Sequence, residues 1–392
     1  MLAGMLQLEG TLLVGDALVE RGVARLDAGR IAWCGPRAGA PRIRAARRVA
    51  LPAGALLAPG FCDLHVHGAG GADAADGTAA SLERLCELHA RHGTVALCPT
   101  IVSGPVEATL RALAAVRRAA EAEAGGGARV LGSHLEGPFL NPRRAGAQPA
   151  AELRSPDAAL LDELLAAAGP TLRIMTLAPE LPGALALVER LAASGVTVAV
   201  GHSEASFAQA TAAVAAGCRL VTHAFNALAP LHHREPGVLG AALLEPKLYT
   251  EVIADGVHVA PAVLTLLRRL KRGRCALVTD CTAALDAPPG GARLGGRAVA
   301  VRDGAGRLAD GTLAGSVLTM DRAVANWVRL AGAALPEALA AAARVPYAAL
   351  GLRGRGRLAA GQPADLVVLD AALQVRAVLV GGRLVAGELE GL

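Results

Sequence analysis

The chain has 392 residues, of which 53% are apolar and 2% aromatic, so it suits one large α/β barrel or a barrel with an appended domain. Its formal net charge is +5, but the basic residues are scattered and the one cluster, at 42–48, lacks interleaved aromatics. We interpret that cluster as a solvated face and expect no nucleic-acid partner. Seven cysteines without a CxxC pair indicate reduced thiols in a cytoplasmic protein. Neither a signal-peptide pattern nor an apolar run of membrane-spanning length is present, so we expect no membrane association.

Both ends of the chain have the sequence pattern of short β-strands. Residues 1–57 contain TLLVGDALVE and GVARLDAGRIAWCG, with Gly and Asp between the apolar runs, and residues 353–392 are similar. Neither end has enough apolar material to fold alone. We therefore predict a small β-sandwich domain assembled from both termini, 1–57 and 353–392, around a catalytic domain at 58–352.

The central region alternates short apolar runs with Ala/Leu-rich helical patterns. Eight runs have the length of a strand: FCDLHV, TVALC, ARVLGSHLE, LRIMTLA, VTVAVG, RLVTHA, TEVIAD and CALVTD. Eight buried strands alternating with helices predict an α/β fold, a parallel (β/α)8 barrel of the TIM type. A Rossmann-like sheet is the alternative, but the GxGxxG expected after its first strand is missing. A Gly- and Asp-rich insertion at 283–315 follows the eighth strand.

Polar residues follow these runs, where a barrel gathers its chemistry. They are His65, His67, Glu136, His202, His223, Asp255, His258 and Asp280. Any one histidine taken alone is better explained as a satisfied core or loop residue. Burying all of them without a shared purpose would be costly, so a common metal is the simpler explanation. We interpret His89, His92 and His134 as structural, and His232 and His233 are left open.

The ligand types indicate which metal to expect. One residue separates His65 from His67, and side chains alternate between the two faces of a strand, so both histidines point to the same face. Imidazoles and carboxylates without thiolates suit Zn²⁺, with Fe²⁺, Mn²⁺ or Co²⁺ as alternatives. Glu136, His202 and His223 could supply three ligands and leave Asp280 as a proton acceptor. His65 and His67 would add a second ion, with Glu136 as the bridge.

At these residues the chain resembles the N-acetylglucosamine-6-phosphate deacetylase family of the amidohydrolase superfamily. The matching stretches are PGFCDLHVHG, HLEGPFLNP, VAVGHSEAS, THAFNAL, REPGVLGAAL, IADGVHV, LVTDCTAA and DGTLAGSVLTM, with GRLAAGQPADLVVLD near the C-terminus. Other amidohydrolases bridge two metals with a carboxylated lysine that ends strand four. The fourth run here, LRIMTLAPE, has no lysine, and Glu136 is the plausible replacement.

The resemblance implies a homodimeric enzyme that removes the acetyl group from an amino-sugar phosphate. It makes Glu136, His202 and His223 the ligands of the primary metal, Asp280 the catalytic acid/base, and His258 a group that contacts substrate close to the amide. The implied substrate contacts are Ala147, Gln148, Asn226, Ala227, Arg234 as a phosphate clamp, and Leu313, Ala314 and Gly315, which close over the substrate. Arg234 is expected to act within its own chain or across the dimer interface.

One departure from the family concerns substrate choice. The family carries a histidine where this chain has Gln148, in Gly146-Ala147-Gln148. Glutamine donates and accepts hydrogen bonds but cannot carry a positive charge. N-acetylgalactosamine 6-phosphate therefore stays open as the substrate beside N-acetylglucosamine 6-phosphate. Two further functions stay open as well, an amidohydrolase acting on a non-phosphorylated amide and a non-catalytic barrel that senses sugar phosphates.

Overall fold

A computed structural model of the chain describes residues 5–42, 47–122 and 125–389. The arginine-rich stretch at 42–48 thus lies largely outside the described residues. Two hairpins open the chain, and their turns are tight because Gly15 and Gly29 adopt positive φ angles of 65° and 77°. The first five strands are β1 (Leu6–Val14), β2 (Ala17–Asp27), β3 (Arg30–Pro36), β4 (Arg47–Ala50) and β5 (Leu56–Pro59).

Eight of the next eleven strands build a closed parallel barrel. The bounds of all eleven are β6 (Phe61–Val66), β7 (Gly68–Ala69), β8 (Ala72–Asp73), β9 (Thr94–Val102), β10 (Arg129–Val130), β11 (Ser133–Glu136), β12 (Leu172–Leu177), β13 (Thr197–Val200), β14 (Leu220–Val221), β15 (Tyr249–Ile253) and β16 (Cys275–Val278). The order β6-β9-β11-β12-β13-β14-β15-β16 is parallel throughout, and a parallel bridge between Val66 and Cys281 closes the ring. β10 precedes β11 in the same barrel position, and β7 and β8 form a small hairpin. The predicted (β/α)8 barrel is confirmed, and closure rules out the open Rossmann-like sheet.

Helices cover the outside of the barrel. They are α1 (Ala79–Ala90), α2 (Val106–Glu121), α3 (Ala158–Ala168), α4 (Ala184–Ala193), α5 (Phe207–Ala215), α6 (Gly237–Leu244), α7 (Pro261–Leu270), α8 (Met320–Ala331), α9 (Leu335–Ala342) and α10 (Arg344–Ala349). Several helices have a side-chain cap at the N-terminus. Examples are Thr78 before α1 and the capping box of Ser206 and Gln209 at α5. Within the described residues, none of these helices combines the length and the apolar character needed to cross a bilayer.

The insertion after β16 folds into its own small unit over the barrel mouth. Its strands are β17 (Arg293–Leu294), β18 (Arg297–Ala298), β19 (Ala300–Arg302), β20 (Ala305–Arg307) and β21 (Leu313–Ser316). β19, β20 and β21 form an antiparallel sheet, and Ser316 bridges to Cys281 just beyond β16. A separate apolar cluster that includes Val102, Leu294 and Leu308 anchors this unit to the end of β9.

The chain ends in three more strands, β22 (Leu366–Leu369), β23 (Val375–Val380) and β24 (Arg383–Gly387). They join the N-terminal strands in one eight-stranded sheet of order β24-β23-β22-β5-β1-β2-β3, with β4 beside β1. The central pairing of β5 with β22 is antiparallel, and residues from both termini share one apolar core. Both ends therefore contribute to the small β domain, as predicted. The domain boundaries at 57/58 and 352/353 stay a prediction.

Candidate metal centre and active-site cavity

Three polar residues that follow barrel strands share an unusual backbone conformation. His202, His223 and Asp280 each stand two residues beyond the end of β13, β14 and β16, with φ angles of 49°, 27° and 48°. A left-handed backbone costs a non-glycine residue about 1–3 kcal/mol, and such strain collects at functional sites. Here it turns the chain at the end of each strand, and all three residues line one cavity at the barrel mouth.

The first cluster in this cavity consists of Glu136, His202 and His223, all of them buried. Glu136 Oε1 lies 3.0 Å from His202 Nε2 and 3.0 Å from His223 Nε2, and the two nitrogens are 3.1 Å apart. Two ligands bound to one tetrahedral Zn²⁺ at about 2.0–2.1 Å lie about 3.3 Å from each other. The three atoms are therefore spaced like the ligands of a single small ion.

The hydrogen bonds behind the rings explain why these atoms attract a cation. His202 Nδ1 lies 2.8 Å from the carbonyl oxygen of Arg144, so Nδ1 carries a hydrogen and donates it. The tautomer with its hydrogen on Nδ1 presents a lone pair at Nε2, and the Glu136 carboxylate offers no hydrogen. Two acceptors thus face each other, and a positive charge between them removes the repulsion. A carbonyl behind a ligating imidazole is the arrangement that metal sites use to orient it.

The second cluster consists of His65, His67 and Asp280. The two Nε2 atoms are 3.1 Å apart, and Asp280 Oδ1 lies 3.1 Å from His67 Nε2 and 3.4 Å from His65 Nε2. Behind the rings, His65 Nδ1 meets Glu251 Oε2 at 3.0 Å and His67 Nδ1 meets the Thr100 carbonyl at 3.1 Å. Both Nδ1 atoms therefore donate away from Asp280, and both Nε2 atoms lie beside its carboxylate.

Glu136 connects the two clusters. Its Oε1 is 3.7 Å from His65 Nε2, and its Oε2 is 3.6 Å from His67 Nε2. A carboxylate in this position can bridge two ions. Asp280 lies against the His65–His67 pair, within reach of an ion held there, and its role as the proton acceptor stays a prediction.

The charges of the two clusters balance one another. Burial lowers the pKa of His65, but the nearby carboxylates of Asp280, Glu136 and Glu251 outweigh burial and raise the pKa to about 10. Burial raises the pKa of Asp280, but His65 and His67 lower it to about 2. The pKa of Glu136 is held well below its usual range, because His65 and the other imidazoles outweigh its burial. A proton on an imidazole thus supplies the positive charge in the metal-free chain, and metal binding releases it.

The cavity has a volume of about 350 Å³, large enough for a sugar phosphate. His258 lines it, with Nδ1 2.6 Å from Asp255 Oδ2, while Nε2 is buried and has no hydrogen-bond partner among the described residues. Burial lowers the pKa of His258, but Asp255 raises it above its ordinary value. In its protonated form, which Asp255 favours, the residue predicted to lie near the scissile amide offers an Nε2–H donor to a bound substrate.

Six predicted substrate contacts also line this cavity: Ala147, Gln148, Asn226, Ala227, Leu313 and Gly315. Gly315 has a φ of 61°, and a Cβ there would lie 2.7 Å from the Asp280 carbonyl oxygen, so only glycine allows this close approach. Ala314 does not line the cavity, because its side chain packs in the apolar cluster of the insertion.

Arg234 lies outside the cavity lining. It is exposed on the loop before α6, with Nη1 2.7 Å from His233 Nε2. The phosphate clamp predicted for Arg234, within its own chain or across a dimer interface, stays a prediction. His134, interpreted as structural, pairs its two ring nitrogens with the Thr100 and Thr176 hydroxyls, and its ring centroid is 4.6 Å from that of His65.

Two residues that the sequence analysis missed belong to this region. Glu251 is fully buried in β15, where its Oε2 meets His65 Nδ1 and accepts from the His223 backbone N–H at 3.2 Å. The sequence does mark Glu251, since it is an acidic residue inside an otherwise apolar run of strand length. Arg307, in β20, is the one arginine or lysine among the cavity-lining residues of the described chain. No local pattern marks it, because only the folding of the insertion brings it there.

Known proteins resemble the chain over most of its length. The model of the amidohydrolase family matches residues 56–385. N-acetylgalactosamine-6-phosphate deacetylase from Escherichia coli O157:H7 is 40% identical, covering 84% of this chain and 87% of that protein. N-acetylglucosamine-6-phosphate deacetylase from Homo sapiens is 38% identical, covering 85% and 84%. A solved variant of N-acetyl-D-glucosamine-6-phosphate deacetylase from Mycobacterium smegmatis, in complex with N-acetyl-D-glucosamine-6-phosphate, superposes with a TM-score of 0.91 at 36% identity, covering 98% of this chain and 100% of that one.

The sequence motifs, the barrel fold, the geometry of the site and the similar proteins all indicate the same family. The chain belongs to the amidohydrolase superfamily and, within it, to the N-acetylglucosamine-6-phosphate deacetylase family.

Proposed function

We propose that this protein is a metal-dependent hydrolase that converts N-acetylglucosamine 6-phosphate and water to glucosamine 6-phosphate and acetate. The observation that supports this most directly is the convergence of Glu136, His202 and His223 on one ion-sized position in a cavity that Asp280 and His258 also line. The family supplies the reaction class, and the relatives supply the amino-sugar phosphate. The amide carbonyl then has an electrophilic partner, a base and a donor within one cavity.

Zn²⁺ is the ion we assign to the first cluster, because one carboxylate and two imidazoles leave a fourth position open, as catalytic zinc sites do. His65, His67 and Asp280 would hold a second ion, with Glu136 between the two. When bound, the metal supplies Lewis acidity and brings the pKa of a water toward about 7. The remaining steps belong to side chains of this protein.

Asp280 acts as the base. Its carboxylate is ionised at neutral pH, so it can accept a proton from the water that attacks the acetyl carbonyl carbon. The carbonyl carbon becomes tetrahedral, and Asp280 returns the proton to the sugar nitrogen as the C–N bond breaks. Acetate and the free amine are the products.

His258 stabilises the charge that develops on the acetyl oxygen. Asp255 accepts from Nδ1–H and favours the protonated form of the ring, and that form carries a second hydrogen on Nε2 to donate into the cavity. Loss of one such donor typically costs about 3 kcal/mol in the barrier. The buried carboxylate behind the ring fixes its orientation before substrate arrives, so little reorganisation is needed in the reaction.

The phosphate would meet the backbone at Asn226 and Ala227 and one or two guanidinium groups. Arg307 lines the cavity of its own chain, whereas Arg234 is exposed on a nearby loop. A homodimer in which Arg234 reaches into the partner's cavity reconciles its position with its predicted role.

We place the enzyme in the cytoplasm, in keeping with seven unpaired cysteines, all of them among the described residues.

The test measures acetate release by the zinc-loaded protein from three substrates. These are N-acetylglucosamine 6-phosphate, N-acetylgalactosamine 6-phosphate and N-acetylglucosamine without phosphate. We expect the highest kcat/KM with the first and a large loss without phosphate. A preference for the galactosamine epimer would reassign the substrate, a result that the 40% identical relative makes a specific second candidate. Equal turnover without phosphate would indicate another amidohydrolase, and tight sugar-phosphate binding without acetate release would indicate a sensor.

A further inference from the structure

Gln148 has a more specific place in the site than the sequence predicted. It is 4% exposed, its Oε1 accepts the Ser103 backbone N–H at 2.8 Å, and its Nε2 donates to Glu136 Oε2 at 2.7 Å. A backbone N–H can only donate and a carboxylate can only accept. The orientation of the amide is therefore unambiguous, since the reversed orientation would set donor against donor and acceptor against acceptor.

This contact decides how the Glu136 carboxylate is turned. The last torsion of a glutamate side chain is soft and has no sharply preferred rotamer. The bond from Gln148 holds Oε2, and this directs Oε1 toward His202 Nε2 and His223 Nε2, both at 3.0 Å. The Gln148 amide accepts a hydrogen bond from the backbone N–H of Ser103, one residue beyond β9, and this bond fixes the orientation of the amide.

The neutrality of the amide also matters. A cationic side chain at 148 would lie beside the carboxylate that an ion must share, and it would oppose that ion. Gln148 donates a hydrogen bond to Glu136 without adding a positive charge. Partners of ligating carboxylates contribute to metal affinity in this way, by fixing the ligand before the ion arrives.

We propose that Gln148 is a positioning residue for the metal ligand Glu136, and that it sets the affinity of the first metal site. This inference rests on the proposed ligation of the ion by Glu136. It assigns Gln148 a role in the free enzyme, before any sugar is bound. Gln148 also lines the cavity where substrate would bind.

The experiment measures binding of Zn²⁺ alone to metal-stripped full-length protein, by competition with a chromogenic chelator. Gln148→Met keeps the length of the side chain and removes both hydrogen bonds. We expect it to raise the Kd for Zn²⁺ about 10- to 100-fold, the usual effect of losing a partner of a ligand. Gln148→Asn stays polar but cannot span Ser103 and Glu136 at once, so it serves if the methionine variant does not fold. We expect the same loss of affinity from it.

Gln7 offers a matched control. It is 5% exposed, its Oε1 accepts from Arg25 at 2.8 Å, and its Nε2 donates to Glu9, all in the terminal sheet. Gln7→Met should lower thermal stability and leave the Kd for Zn²⁺ within about twofold. Co²⁺-loaded protein adds a spectroscopic readout, since a reoriented Glu136 changes the d–d bands of the ion in the Gln148 variants alone. Unchanged Kd and spectrum in a folded Gln148 variant overturn the inference, whereas a parent chain that binds no ion overturns the proposed metal site itself.

Discussion

Replacing Asp280 by asparagine removes the proposed base and keeps its shape. The main chain of Asp280 is held by bonds that the substitution does not touch, from its N–H to the His65 carbonyl at 2.8 Å and from Ser316 N–H to its own carbonyl at 2.7 Å. Glu136, His202 and His223 make no hydrogen bond to it. We therefore expect Asp280→Asn to fold and to keep the first metal position.

The loss should fall on the chemical step. A positioned general base typically contributes 10²–10⁴-fold to the rate, which corresponds to about 3–5 kcal/mol of barrier. The Asp280 carboxylate lies 3.1 Å from His67 Nε2 and 3.4 Å from His65 Nε2, so the variant should also hold a second ion less well. Both effects lower kcat at saturating substrate.

The assay follows acetate release at saturating substrate, with metal content and thermal unfolding measured on the same samples. Asp321→Asn is a control of matched chemistry, because Asp321 is also a buried aspartate beside a histidine, His92, but lies on α8 outside the cavity lining. It should leave kcat nearly unchanged. If Asp280→Asn kept one metal ion and turned over within about threefold of the parent, Asp280 would not be the base.

Three further predictions concern the support of the site, the phosphate and the response to pH. Glu251→Gln removes the charge behind His65 and should weaken ion binding about 10- to 100-fold, seen as fewer ions per chain after dialysis; unchanged metal content would make Glu251 a packing residue only. Arg307→Ala and Arg234→Ala should each raise KM for the phosphorylated sugar about tenfold or more with little change in kcat, and an unchanged KM removes that arginine from phosphate binding. His89 is fully buried, and burial lowers its pKa from 6.5 to about 4. Between those values the unfolded chain binds a proton that the folded chain does not, so the free energy of unfolding falls as pH drops, by about 3 kcal/mol in total. Urea denaturation from pH 7 to pH 4 should show a flatter pH dependence in His89→Gln, and parallel curves would contradict the assignment.

Much of the barrel could be predicted from the sequence because its signals are local. A strand buried on both faces must be apolar throughout, so runs such as LRIMTLA and CALVTD mark their strands without knowledge of their neighbours. The carboxyl ends of parallel strands meet at one rim. Polar residues that follow separate strands, such as Glu136, His202 and Asp280, were for that reason expected together, and the structure places them around one cavity.

Tertiary structure decided which atoms meet and which residues reach them. Asp280 lies against the His65–His67 pair, Glu251 contacts His65 Nδ1 from behind the ring, and Gln148 donates a hydrogen bond to Glu136. Each contact joins residues far apart in the chain, and its distance depends on the register of neighbouring strands and the path of long loops. Arg307 enters the cavity only because the insertion folds back over the barrel mouth. Composition and periodicity thus determine that a metal-binding rim exists, and long-range packing determines how its charges are paired.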